Sequence, residues 1–236
     1  MRLVVKLLLC IVCLGVLNAE TFTDDFFTIK NSAMQKKEFV ERMLPLIKKA
    51  NDGIIEERKI VEAFFETYRA EGNLNAIDNN TLEIIQNLAK KYNINSVDDV
   101  KAFKSKIAPV PISLALTQAA VETGWGKSRF FKEARNAFGQ WTYSVTNGLV
   151  PTNREEGKTH KIRVFNSVQE SVNSYMLNLN KHDAYSDFRT LRFLLGDEFD
   201  GLLASSKMLN YSQMREGYVK LLRQVMVSDK LIKYDY

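Results

Sequence analysis

The chain has 236 residues, 45% of them hydrophobic and 26% charged, with a formal net charge of +5. That length supports one large domain or two small ones around a conventional core. No basic run is interleaved with aromatics as a nucleic-acid groove requires, so no nucleic-acid partner is expected.

Arg2 and Lys6 precede an apolar run from Leu7 to Leu17, and the small Ala19 follows. This is the pattern of a secretory signal peptide over residues 1–19; the run is too short to span a bilayer comfortably. Cutting 19 residues from 236 leaves 217, and losing Arg2 and Lys6 leaves 31 basic against 28 acidic residues. That mild positive balance suits an anionic wall polymer or a membrane surface. Both cysteines, Cys10 and Cys13, fall in the leader, so the mature chain has no disulfide framework and no thiol nucleophile. A periplasmic or otherwise exported protein is expected.

Residues 20–108 read as helices. Lys36 to Ala50 carries Phe39, Met43, Leu46 and Ile47 on one face; Ile54 to Ala70 carries Val61, Phe64, Phe65 and Tyr68 likewise; Thr81 to Tyr92 repeats the pattern with Leu82, Ile85 and Leu88. Asn51-Asp52-Gly53 and Glu71-Gly72-Asn73 punctuate them. Ser96 to Asp99 resembles a capping box for a short helix to Lys104. No Pro-, Gly- or Ser-rich linker precedes Pro109, which favours a helical layer on the main domain over a separate module. A protein partner in the envelope could bind this region.

From Pro111 the sequence runs PISLALTQAAVETGWGKSRFFKEARNAFGQW. Ile112 to Val121 is apolar on most faces, as a buried helix is. Glu122 falls in its last turn, just before the helix stop Gly124. A carboxylate at a helix C-terminus is disfavoured by the dipole, and Trp125, Phe130 and Phe131 follow it. Burial, dipole and aromatic walls all raise a carboxyl pKa, which makes Glu122 a candidate general acid. Gln118, one turn earlier, shares its face.

Beyond this helix Ser128 caps a short one. Gln140 to Val145 and Lys161 to Phe165 carry β-formers around a polar tip and read as a hairpin. Ser167 to Glu170 is a capping box opening a helix to Asn180. Further helices are expected around Phe188 to Leu195 and Tyr211 to Val227. The fold class is mainly α (α+β): a lysozyme-like helical domain over 109–236, one small β-hairpin lobe facing the Glu122 lobe across a groove, and the N-terminal helical layer. The two histidines, His160 and His182, have neither helical pair spacing nor thiolate neighbours, so no metal and no cofactor is expected. There is no serine elbow and no phosphate loop.

The segment ALTQAAVETGWGKSRFFKEARNAFGQW resembles the signature of bacterial glucosaminidases, glycoside hydrolase family seventy-three, in its Bax-type branch, and more distantly a flagellar muralytic domain. The blocks RVFNSVQESVNSYMLNLNKHDAYSDFR and NYSQMREGYVKLLRQVM are similar to it as well. The resemblance implies a monomeric endo-β-N-acetylglucosaminidase acting on peptidoglycan glycan strands, with Glu122 as acid. It also implies a second acid in the hairpin lobe, Glu156 or Glu155, separated widely enough from Glu122 to activate water with inversion. The alternative is a substrate-assisted route in which Tyr211 orients the sugar acetamide. Trp125, Phe138 and Trp141 are expected to line the sugar groove, with Tyr185 a further cleft candidate, while Asn136 fixes the loop backbone. A lytic transglycosylase or muramidase on the same architecture, and a non-catalytic wall-binding scaffold, are the rival readings.

Overall fold

The computed structural model describes residues 21–142, 148–150 and 161–236; the leader and the pair Glu155 and Glu156 lie outside the described residues. The chain is mainly helical. A four-residue helix, α1 (Asp24–Phe27), leads into α2 (Ser32–Glu71), then α3 (Asn79–Tyr92), α4 (Val100–Lys106), α5 (Ile112–Thr123) and α6 (Arg129–Ala134). Three short strands follow: β1 (Trp141–Thr142), β2 (Gly148–Leu149) and β3 (Lys161–Arg163). The chain closes with α7 (Val168–Lys181), α8 (Ser186–Leu195), α9 (Gly201–Ser205), α10 (Glu216–Ser228) and a tight turn at Leu231–Tyr234. No helix among the described residues is long and apolar enough to cross a membrane.

The N-terminal region departs from the expectation of two helices broken at Asn51-Asp52-Gly53. α2 is a single helix of 40 residues, about 60 Å long at 1.5 Å per residue. It begins at Asn31, whose side chain accepts from the Met34 N–H at 2.9 Å, and ends at Gly72 with φ 74°. Asn51 does not turn the chain because its amide points inward. Its Nδ2 donates to the Val110 carbonyl at 2.8 Å and its Oδ1 accepts from the Val110 N–H at 3.0 Å. A side chain that would favour a turn in water is here the pin between α2 and the segment leading into α5. The helix expected from Ser96 starts later: Asp99 is the cap, accepting from Ala102 N–H at 2.9 Å.

α5 sits at the centre, packed against α2, α9, α10 and the Leu231–Tyr234 turn. Its residues from Ser113 to Ala120 are all buried, as an all-round apolar helix must be. Its N-terminal end is held by Asp235. That carboxylate accepts from Ser113 N–H at 2.8 Å and Ser113 Oγ at 2.5 Å, and also from Gly201 N–H at 2.8 Å, at the start of α9. A Cβ at Gly201 would lie 2.0 Å from Ser113 Oγ, so only glycine admits this approach. One hydrophobic cluster runs from Phe22 to Leu231 and includes α2, α3, α5, α7, α8 and α10 side chains.

The expected hairpin is instead a three-stranded antiparallel sheet in the order β1-β3-β2. Ile162 of β3 pairs with Trp141 on one side and Leu149 on the other. β2 was missed because its close approach needs a glycine: a Cβ at Gly148 would stand 2.5 Å from Lys161 Cβ.

Candidate active site

The GWG turn sets the position of Glu122. Gly124, Trp125 and Gly126 all take left-handed backbone, with φ of 56°, 58° and 81°. Trp125 N–H donates back to the Ala120 carbonyl at 2.8 Å, the bond that closes a helix end of this kind. Thr123 Oγ1 accepts from Gly126 N–H at 2.8 Å, and Gln35 Nε2 donates to the Trp125 carbonyl at 3.0 Å. The turn therefore stops α5 one residue after Glu122 and throws the indole onto α2. There it packs edge-on against Phe39, ring centroids 5.9 Å apart, beneath Lys36.

Glu122 is half-buried in the last turn of α5, where the helix dipole opposes its charge. Burial pushes its carboxyl above the ordinary range, and the hydrogen bond from Tyr218 pulls the other way. Tyr218 Oη donates to Glu122 Oε1 at 2.6 Å. The other oxygen faces Gly139, where an added Cβ would stand 3.1 Å from Oε2 and where φ is 62°. Both the conformation and the proximity call for glycine at that position.

Behind Tyr218 lies a chain of two more groups. Gln118 is fully enclosed; its Nε2 donates to Tyr218 Oη at 3.1 Å and its Oε1 accepts from Tyr175 Oη at 2.6 Å. A hydroxyl has one proton. Tyr175 fixes the amide, the amide presents N–H to Tyr218, and the Tyr218 proton is thereby directed at Glu122. Rings hold the assembly: Phe138 stacks on Tyr175 at 3.8 Å and Tyr211 on Tyr218 at 5.5 Å. Tyr211 Oη donates to the Phe138 carbonyl at 2.9 Å. Burial raises the pKa of Tyr175, Tyr211 and Tyr218, and that of Tyr185 to about 12, so all four stay neutral near pH 7.

The structure thus brings Gln118, Glu122, Phe138 and Tyr211 together. Tyr185, also buried, joins at the edge, its ring 6.4 Å from Tyr211. Trp125 lies on α2, and Trp141 sits on β1 with 54% of its surface exposed. Asn136 fixes the loop: it donates to the Gln140 and Arg163 carbonyls and accepts from the Phe138 and Gln140 N–H groups. Among the described residues no three His, Cys, Asp or Glu side chains gather as metal ligands would.

Sequence reasoning missed Tyr175 and Tyr218. Tyr218 lies on a buried stripe with Leu222 and Met226, so its ring reads as core; the signal was the hydroxyl, which a buried tyrosine must satisfy. The helix expected from Tyr211 starts only at Glu216, after a turn in which Arg215 has φ 46°. In one helix the two tyrosines would be about 10 Å apart along the axis; the turn is what lets their rings stack.

The Tyr218 bond yields a testable sign. A general acid works only while protonated, so activity falls as pH rises through its pKa. Tyr218→Phe removes the group that favours the ionised form. The alkaline limb of kcat/KM is expected to move to higher pH, and kcat to fall about tenfold to a hundredfold, the worth of one hydrogen bond to a charged group. An unmoved alkaline limb in the folded variant would detach Tyr218 from the acid.

A family model described as Glucosaminidase, mannosyl-glycoprotein endo-beta-N-acetylglucosaminidase, matches residues 99–231. The chain is similar to Protein bax of Escherichia coli strain K12, 28% identical over 192 residues, which cover 78% of this chain and 66% of that protein. It is similar to Peptidoglycan hydrolase FlgJ of Salmonella typhimurium, 31% identical over 99 residues, which cover 36% of this chain and 31% of FlgJ. The chain therefore spans just under two thirds of the first relative and about a third of the second. No solved structure matches it significantly. Because the matched residues include the Glu122 helix, the turn behind it, the small sheet and the Tyr218 helix, the chain belongs to the glucosaminidase family.

Proposed function

We propose that this protein is an exported peptidoglycan hydrolase, an endo-β-N-acetylglucosaminidase that cuts the glycan strand after N-acetylglucosamine with Glu122 as general acid. One observation carries the reading: a carboxyl pushed toward its protonated form by burial, and held by Tyr218 at 2.6 Å, within the family's matched segment. A protonated Glu122 donates to the glycosidic oxygen as the bond to the anomeric carbon breaks. The carboxylate left behind already has a hydroxyl proton aimed at Oε1, so the charge that forms during departure meets a preorganised donor. Gln118 and Tyr175 keep that donor oriented. Export rests on the leader pattern of residues 1–19 and suits an envelope substrate.

The named relative FlgJ is a peptidoglycan hydrolase, which supports the substrate class. The second group in the reaction is Glu156 or Glu155 acting on water, or the substrate's own acetamide with Tyr211 near it; two carboxylates set apart give inversion and acetamide participation gives retention. Digestion of purified sacculi tests the reading, with mass spectrometry of the products and proton NMR of the first-formed anomer. Products ending in reducing N-acetylglucosamine are expected. Anhydro-muramyl ends would replace this reading with a transglycosylase, reducing muramyl ends with a muramidase, and no release at all with a wall-binding scaffold.

A further inference from the structure

A groove of about 790 Å³ runs along the face of α7 that turns away from Tyr175. One wall is built by α2 and the end of α3, the other by α7 together with Gln140, Trp141 and Arg163 of the sheet region. None of Glu122, Tyr218 or Gln118 lines it. Its volume is that of a site for a small ligand or a short peptide.

The lining is cationic. It includes Lys49, Lys91, Arg163 and Lys181 against a single carboxylate, Glu57. Glu57 is already engaged: it pairs with Lys91 and accepts from Tyr92 Oη at 2.6 Å. Among the described residues, Lys49, Arg163 and Lys181 have no carboxylate within ion-pair distance. Like charges gathered on the walls of a cleft repel one another and concentrate an anion. The rest of the lining is largely polar, with Gln140, Asn173, Ser174 and Asn178 in it. Gln169 Nε2 donates to the Leu46 carbonyl at 3.0 Å and to Asn173 Oδ1 at 2.9 Å, which ties α7 to α2. Gln169 Oε1 is enclosed and meets no donor among the described residues.

One short stretch of chain links the groove to the acid. Gly139 lies against Glu122 Oε2, and Trp141, two residues on, lines the groove. Two residues of extended chain span at most about 7 Å, comparable to one sugar ring. In peptidoglycan the stem peptide branches from the sugar next to N-acetylglucosamine and carries free carboxylates. We propose that this groove binds the stem peptide of the substrate through those carboxylates, and that the N-terminal helices serve as one wall of the binding site. The inference rests on the peptidoglycan reading above and deepens it.

Binding of the full mature chain carrying Glu122→Gln tests the idea without requiring turnover. Two soluble probes are titrated by calorimetry: a disaccharide bearing the stem tetrapeptide, and glycan oligomers stripped of peptide by an amidase. The peptide-bearing probe is expected to bind more tightly and to weaken as salt rises. Lys49→Glu with Lys181→Glu is expected to weaken that probe at least about tenfold and the peptide-free oligomer less than about twofold. Lys49→Arg with Lys181→Arg should restore the parent affinity, and unchanged thermal midpoints establish that the variants are folded. Equal affinity for the two probes, or an undiminished peptide-bearing probe in the glutamate variant, overturns the proposal. Absence of glycan cleavage by the wild-type chain would instead fail the hydrolase reading, a separate and visible outcome.

Discussion

Glu122→Gln is expected to reduce turnover on sacculi by at least about a hundredfold, the usual worth of a general acid, and to leave a protein at least as heat-resistant as its parent at neutral pH. The two halves of this result have one cause. Glutamine keeps the shape of the side chain and accepts from Tyr218 in the same place, but it has no proton of suitable acidity to give. In the parent, burial raises the carboxyl above its ordinary value of 4.5. A group whose pKa is higher folded than unfolded adds stability in full below the unfolded value and loses it as pH rises through the folded one. The wild-type chain therefore bears a penalty at neutral pH that the neutral amide does not. The melting temperatures of the two proteins should diverge in favour of the variant as pH rises and converge below about pH 4. Near-normal turnover in the folded variant would remove Glu122 from the chemistry.

Asn51→Leu is expected to destabilise the whole chain by about 2–5 kcal/mol, since it orphans a buried N–H and a buried carbonyl of Val110 at once. Asn51 is 7% exposed and both its bonds run to that one residue. Asn51→Asp keeps the acceptor and loses the donor, and should fall between. Chemical denaturation checks the size. It also reads the coupling: α2 and α5 share this pin and the same hydrophobic cluster, so the variant should lower one cooperative transition and not split off an early N-terminal one. A separate early transition would make residues 20–108 a module of their own.

What was readable in the sequence was what short-range chemistry decides. The stop at Gly124, the caps at Ser128 and Ser167, and the placing of Glu122 in a last turn all follow from neighbours within four residues. Residues whose role is set from far away were not readable. Tyr218 reaches Glu122 across 96 positions, and Tyr175 reaches Gln118 across 57. Gln118 itself stood out as a polar stripe on a buried helix, but nothing in the local sequence says that two tyrosines satisfy it. Asn51-Asp52-Gly53 misled for the same reason: its turn chemistry is overridden by a partner 59 residues away. The placing of the GWG indole was not readable either: three consecutive left-handed residues turn it onto Phe39.

The helix bearing the acid has a carboxylate at each end, one welcome and one not. Asp235 meets the Ser113 N–H in the first turn of α5, where negative charge is favoured, and Glu122 stands at the opposite end, where it is not. The favourable one arrives from 122 residues away and serves α9 as well. A contact of that separation carries a loop-closure cost, so the anion that anchors α5 belongs to the assembled fold and not to the helix's own sequence. The pKa of Glu122 is a property of the assembled fold in the same way: burial raises it, and the hydroxyl that lowers it sits 96 positions away. The QAAVETGWG motif on an unfolded chain is an ordinary solvated carboxylate beside a turn sequence; burial by the rest of the fold is what makes it unusual.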